Sequence, residues 1–163
     1  MKKRLISLVP ASLMAVLLVL AGCTSSPSPT ATAYTINVTN IAPLGEFLVD
    51  GDGLTLYWTT ADSPGVSNVP DNLLSVWPVF YVSDIVVPST LNAGDFSNIM
   101  RSDGTPQTAY KGYPLYYYAN DTDPGQTGGQ GLGGRWSVVN PDATGPQPVP
   151  TPATTTPTQA SGY

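Results

Sequence analysis

The chain repeats itself. Gly45 and Gly104, Gly53 and Gly112, Leu56-Tyr57 and Leu115-Tyr116, Asp62 and Asp121, Trp77 and Trp136, and Val79 and Val138 all lie 59 residues apart in one gapless register. Self-similarity at a fixed offset marks a supersecondary unit used more than once. Two tryptophans, a Leu-Tyr pair and two glycines seldom fall into one register by chance. The spacing therefore predicts two copies of one unit, about 34–92 and 93–140, facing each other across a pseudo-twofold axis. A unit of a few strands is marginal alone in water, so the two copies are expected to form a single small domain.

Within each copy the patterns are mostly strand. Tyr34–Ile41 alternates apolar and polar residues. "FLVD" and "LTLYWTT" flank a Gly/Asp turn at Gly51-Asp52-Gly53, which reads as a hairpin. The second copy of that hairpin is "QTAY" and "YPLYYYA" around Lys111-Gly112. Pro114 lies in its second strand and lacks a backbone donor, which argues for a sheet edge. Trp77–Val82 and Arg135–Asn140 supply one further strand per copy. Helix signals are weak: Pro70–Val76 suits a turn or two and Ala93–Met100 one turn. The fold class is mainly β, with two pseudo-symmetric, hairpin-containing repeats.

Alternation along a strand separates Tyr113, Leu115 and Tyr117 from Pro114, Tyr116 and Tyr118. In the first copy, Leu54, Leu56 and Trp58 occupy the first set and are all large and apolar, whereas Thr55, Tyr57 and Thr59 occupy the second. Tyr117 is therefore expected to be the buried tyrosine, Tyr116 partly covered and Tyr118 the most exposed. Tyrosines on a β surface can stack on sugars, and Tyr118 is the candidate ligand contact. The competing reading is that tyrosine packs well in strands.

The ends differ in kind. Residues 1–22 open with Lys2, Lys3 and Arg4, continue with an apolar run from Leu5 to Ala21 and close on small residues, the order of a secretory signal. Leu20-Ala21-Gly22-Cys23 resembles a bacterial lipobox, in which Cys23 is lipidated and becomes the first mature residue; an uncleaved membrane anchor is the alternative. Either arrangement places the rest of the chain outside the cytoplasmic membrane, and two acyl chains would hold it there. Residues 23–33 form a Ser/Thr/Pro tether that would reach roughly 30 Å if extended like polyproline. Residues 141–163 are rich in Pro and Thr, poor in apolar side chains, and expected to be disordered.

The composition excludes several chemistries. The sequence has no histidine and one cysteine, Cys23, so it can build neither a Ser-His-Asp nor a Cys-His nucleophile, nor a His/Cys zinc site, nor an internal disulfide. Beyond residue 22 only Arg101, Lys111 and Arg135 stand against eleven acids, a net charge of −8 that repels nucleic acid. No cofactor, metal ligand set or enzymatic activity is expected.

The remaining motifs have plain readings. Gly129–Gly134 fits G-x-G-x-x-G, but strand-like sequence follows where the dinucleotide fingerprint needs a helix, so a flexible loop is expected. Asp121-Thr122-Asp123-Pro124-Gly125 and Asp50-Gly51-Asp52-Gly53 lack the full calcium-loop ligand set and read as turns. The acids could form glycosidase-like pairs, but none lies in a cleft motif. Asn37-Val38-Thr39 and Asn120-Asp121-Thr122 fit the glycosylation sequon at Asn37 and Asn120.

The stretch from Asp103 to Trp136 resembles a secreted-repeat lipoprotein family marked by a Tyr-x-(Phe/Trp/Tyr)-x-x-Asp motif. Here that motif runs from Tyr116 through Tyr118 to Asp121. The first copy keeps Tyr57 and Asp62 but has Thr59 at the aromatic position, and Trp77-Pro78 is similar to the family's Trp-Pro step. The resemblance spans most of Leu44–Pro141. The cysteine pair and the histidine that members often carry are missing; Ser137 follows Trp136. The resemblance implies location and fold but no reaction. The expected function is a lipid-anchored, non-catalytic structural or interaction module. The alternative is a binding protein for a glycan or small molecule, and the partners would be the membrane and a cell-surface component.

Overall fold

A computed structural model describes residues 33–149. The expectations for residues 1–22, for Cys23, for nearly all of the tether and for 150–163 lie outside the described residues. Seven strands form three small antiparallel sheets: β1 (Ile36–Ile41) with β2 (Gly45–Asp50); β3 (Tyr57–Thr59) with β7 (Trp136–Val138); and β4 (Phe96–Met100), β5 (Pro106–Tyr110) and β6 (Tyr113–Pro114) in that order. The described residues are mainly β, with three-residue 3-10 turns at Asp71–Leu73, Ala93–Asp95 and Leu132–Gly134.

Both anticipated hairpins are present. The first bends at Asp50, whose Oδ1 accepts from Asp52 N (2.9 Å) and Leu54 N (2.8 Å), the aspartate turn that its Asp-Gly sequence favours. The second pairs β5 with β6 through Lys111 (φ 48°) and Gly112 (φ 84°), two left-handed residues in succession as a tight hairpin turn requires. Pro114 lies on β6, at the edge of its sheet.

The closing segments cross over. Trp77–Val82, from the first copy, runs beside the second hairpin: Phe80 N donates to Leu115 O (3.0 Å), Tyr117 N to Pro78 O (2.8 Å) and Thr108 N to Phe80 O (2.9 Å). Trp136–Val139, from the second copy, runs beside the first hairpin: Val139 N donates to Leu56 O (3.1 Å) and Leu48 N to Val139 O (2.9 Å). The hairpins meet at Tyr57 and Tyr116, which exchange both backbone hydrogen bonds (2.8 and 2.9 Å). The residues in equivalent roles in these bonds, Leu56 and Leu115, Val139 and Phe80, and Tyr57 and Tyr116, are all 59 residues apart.

Four expectations need correction. Phe96–Met100 is a strand paired with β5, because Phe96 anchors it in the core beside Tyr110 and only Ala93–Asp95 turns. Trp77–Val82 is extended but forms an isolated bridge at Val79, its bonds being shared among several neighbours. Residues 141–149 fold back onto the domain: Lys111 Nζ donates to Pro141 O (2.8 Å) and Ala143 O (3.1 Å), and Val149 N to Gly134 O (3.2 Å). Backbone carbonyls, which composition does not reveal, hold this segment.

The fourth concerns the tyrosines. Tyr116, not Tyr117, is the fully buried one, while Tyr117 and Tyr118 are half-buried. Alternation sorts the side chains as expected, but both faces are core. Leu56, Trp58, Phe80, Tyr110 and Leu115 form one apolar cluster, against which Tyr113 and Tyr117 pack. Phe47, Tyr57, Trp77, Tyr116 and Trp136 form the other, with Tyr118 at its border. The crossed segments cover the face that a lone hairpin would leave wet.

Candidate functional site

The motif residues converge at the centre of the second cluster. Tyr57 Oη donates to Asp121 Oδ2 (2.5 Å), and Tyr116 Oη donates to Asp62 Oδ2 (2.8 Å). Each motif tyrosine thus bonds the motif aspartate of the other copy. The tryptophans meet as well: Trp77 and Trp136 stack with centroids 3.6 Å apart and planes 3° from parallel. Tyr57 packs edge-on to Trp77 (5.6 Å) and Tyr116 edge-on to Trp136 (5.2 Å).

Local structure sets these positions. Trp77 follows the Asp71–Leu73 turn and donates its N–H to Leu73 O (2.8 Å), while Trp136 opens β7. The glycine loop before β7 lies directly on the rings. A Cβ at Gly129 would stand 2.8 Å from Tyr57 Cε1 and 2.9 Å from Trp77 Cη2, so only glycine fits. The loop expected to be flexible is tied down: Gly129 N donates to Tyr57 Oη (3.2 Å) and Gly131 N to Trp136 O (2.8 Å). It ends in a 3-10 turn and a strand, with no helix N-terminus for a pyrophosphate.

Burial governs the electrostatics. Desolvation, reinforced by the Asp121 hydrogen bond and charge, pushes the Tyr57 hydroxyl well above the ordinary phenol range. Desolvation and the Asp62 charge do the same to Tyr116. Burial raises the Asp62 carboxyl despite hydrogen bonds from Asn68 N and Tyr116 and the charge of Arg101, which pull it down. Both phenols are therefore protonated donors at neutral pH.

Sequence reasoning missed the polar chain behind Asp62. Tyr116 Oη meets Ser67 Oγ (2.6 Å), which Arg101 Nη1 also contacts. Arg101 is buried and further bonded to Val69 O (3.2 Å), Gln107 Oε1 (3.4 Å), Asp71 (3.4 Å) and Asp103 (3.4 Å). A buried guanidinium needs such partners. Its place in a chain with few cations was the one available hint. A third pair, Tyr117 Oη to Asp50 Oδ2 (2.8 Å), was also missed, although Asp50 was visible as a turn former.

The other candidates lie apart. One face of Tyr118 packs on Trp77 (4.8 Å between centroids), a Cβ at Gly128 would stand 3.3 Å from its Cε1, and Asn120 Nδ2 donates to its hydroxyl (2.9 Å). Asn120 is exposed; Asn37 is half-buried in β1 opposite Val49. Asp123 accepts from Thr122 and Gln126, as a turn residue does.

The second copy now has its motif tyrosine, aromatic and aspartate accounted for, between β4 and β7. Residues 97–140 match the model of a family described as a secreted repeat of unknown function. The matched repeat includes Tyr116, Tyr118, Asp121 and Trp136 and begins one residue into β4. No curated protein and no solved structure gives a significant match to the chain. Among the described residues, no helix is long and apolar enough to cross a membrane.

Proposed function

We propose that this secreted-repeat chain is held at the outer side of the membrane by lipid on Cys23. Its β domain acts as a non-catalytic structural or interaction module, made of two copies of one unit that exchange closing segments about an approximate twofold axis. The observation that supports this reading is the inward use of the motif. Tyr57, Asp62, Tyr116 and Asp121 satisfy one another across the two copies, and the most distinctive side chains are thereby spent on holding the domain together. The anchor is tested by detergent phase partitioning of Cys23→Ala. The variant should move to the aqueous phase or accumulate as precursor; a variant processed and membrane-bound like the wild type contradicts the anchor.

A second reading, binding of a glycan or small molecule, has one observation in its favour. An open groove of about 290 Å³ runs between β7 and the returning segment, lined by Trp58, Val138, Ala143, Pro148 and Val149 with Ser137 and Asn140 as polar groups. That volume falls just below the usual range for ligand pockets, about 300–1,000 Å³. Binding on a glycan or fragment panel that disappears in Ala143→Trp would support it.

A further inference from the structure

The Trp77–Trp136 contact is unusual for a pair that only fills space. Aromatic pairs gain most from offset or edge-to-face contact with centroids about 4.5–7 Å apart. These indoles are nearly eclipsed, at 3.6 Å and 3°. The ring quadrupoles disfavour that geometry, but it gives the greatest π overlap, so a positive charge left by removing one electron is shared by both rings. On either side stands a tyrosine whose hydroxyl proton already points at a carboxylate, Tyr57 at Asp121 and Tyr116 at Asp62. Oxidised phenol loses its proton at once, and here the acceptor is in place. Tyr118, half-buried and packed on Trp77, carries the array to the surface.

The other apolar cluster also points a tyrosine at a carboxylate, Tyr117 at Asp50, but sets that ring against Phe80 (5.5 Å) and has no stacked tryptophans to oxidise it. Trp58 packs with Tyr110 and Tyr113 at 6.4 and 6.1 Å, and the Tyr110 hydroxyl donates to a backbone carbonyl, Pro141 O, which cannot take its proton.

We propose that Tyr57, Trp77, Trp136 and Tyr116 form a one-electron sink that stores an oxidising equivalent received through Tyr118. A diffusible one-electron oxidant, a radical or a high-potential metal complex, takes one electron from the Tyr118–Trp77 edge and is reduced by one electron. Tyr57 replaces that electron. Its Oη–H bond breaks, a new O–H bond forms at Asp121 Oδ2, and the products are a neutral phenoxyl and a neutral carboxylic acid. Tyr116 and Asp62 provide the same step from the other side. A thiol or hydroquinone in solution returns the electron, and the proton goes back to the phenol. This activity does not depend on the lipid anchor.

The experiment uses the full-length chain in detergent, oxidised by flash-generated ruthenium(III) tris-bipyridine and followed by transient absorption and electron paramagnetic resonance. The wild type should give a neutral tyrosyl signal that forms more slowly in D2O, and Tyr110→Phe should not change its yield. The paired variant Asp62→Asn/Asp121→Asn keeps oxygen acceptors but cannot take a proton. Its tyrosyl yield should fall to that of Tyr57→Phe/Tyr116→Phe, with a longer-lived tryptophan cation. Absence of a tyrosyl in the wild type, or a yield unchanged in the Tyr→Phe pair, overturns the proposal. If the paired variants lose their near-UV circular dichroism, spin trapping of the wild type decides. Adducts at Tyr118, where the array reaches the surface, support the sink, and adducts confined to the exposed Tyr34 and Tyr81 overturn it.

Discussion

Tyr116→Phe removes one oxygen atom from the centre of the domain, and its cost can be worked out from what that oxygen touches. The hydroxyl is fully buried, donates to Asp62 Oδ2 at 2.8 Å and meets Ser67 Oγ at 2.6 Å. Water cannot replace it without opening the core. Asp62 keeps the hydrogen bond from Asn68 N to its other oxygen (2.6 Å), and Ser67 keeps Arg101. Hydrogen bonds to charged groups contribute about 1.5–3 kcal/mol, and because Asp62 and Ser67 each keep another partner, no stranded-group cost is added. A loss of about 1.5–3 kcal/mol is therefore expected. Tyr118→Phe is the control. Its hydroxyl only accepts from exposed Asn120 at 2.9 Å, so the change should stay within about 0.5 kcal/mol. Urea melts followed by tryptophan fluorescence would measure both, and a double-mutant cycle with Asp62→Asn should give a coupling of about 0.5–3 kcal/mol. A loss at Tyr118 equal to that at Tyr116, or no coupling with Asp62, refutes the reasoning.

Further outcomes follow from the same contacts. Gly129→Ala drives a methyl group into Tyr57 and Trp77, and thermal melts should show a destabilisation of about 1–3 kcal/mol. Burial raises the Asp62 carboxyl, so the folded state holds its proton more tightly than the unfolded chain. Its contribution is fully present below about pH 3.9 and is lost as pH rises through the raised value. The wild type should therefore lose stability relative to Asp62→Asn as pH rises above 4 in urea midpoints, and a constant difference contradicts this. Lys111→Ala removes the two bonds its ammonium makes to the returning segment, so limited proteolysis should cut within 141–149 sooner than in the wild type.

Much of the fold was legible because it rests on short-range signals. Asp50-Gly51-Asp52-Gly53 and Lys111-Gly112 announce turns, and the alternation around them places the hairpins. The 59-residue offset aligned the residues that now bond in reciprocal pairs, Tyr57 with Asp121 and Tyr116 with Asp62. What the sequence did not show is long-range. Nothing local says that Trp77–Val82 lies on the hairpin of the other copy, and without that crossing the Tyr116 face looks open. The same gap concealed Arg101, because Ser67, Gln107 and Asp71 come together only in the folded domain. Residues 141–149 read as tail because they bury little apolar area; their anchors are carbonyl groups, which every residue has.

The exchange of closing segments is the centre of this account, and fragment complementation tests it most directly. Residues 33–92 and 93–149, expressed separately, each lack the segment that completes their own hairpin. Neither should give a cooperative urea melt alone, and mixing them should restore the near-UV circular dichroism of the stacked tryptophans. A cooperative melt from either fragment as a monomer would contradict the exchange and make the two copies independent domains.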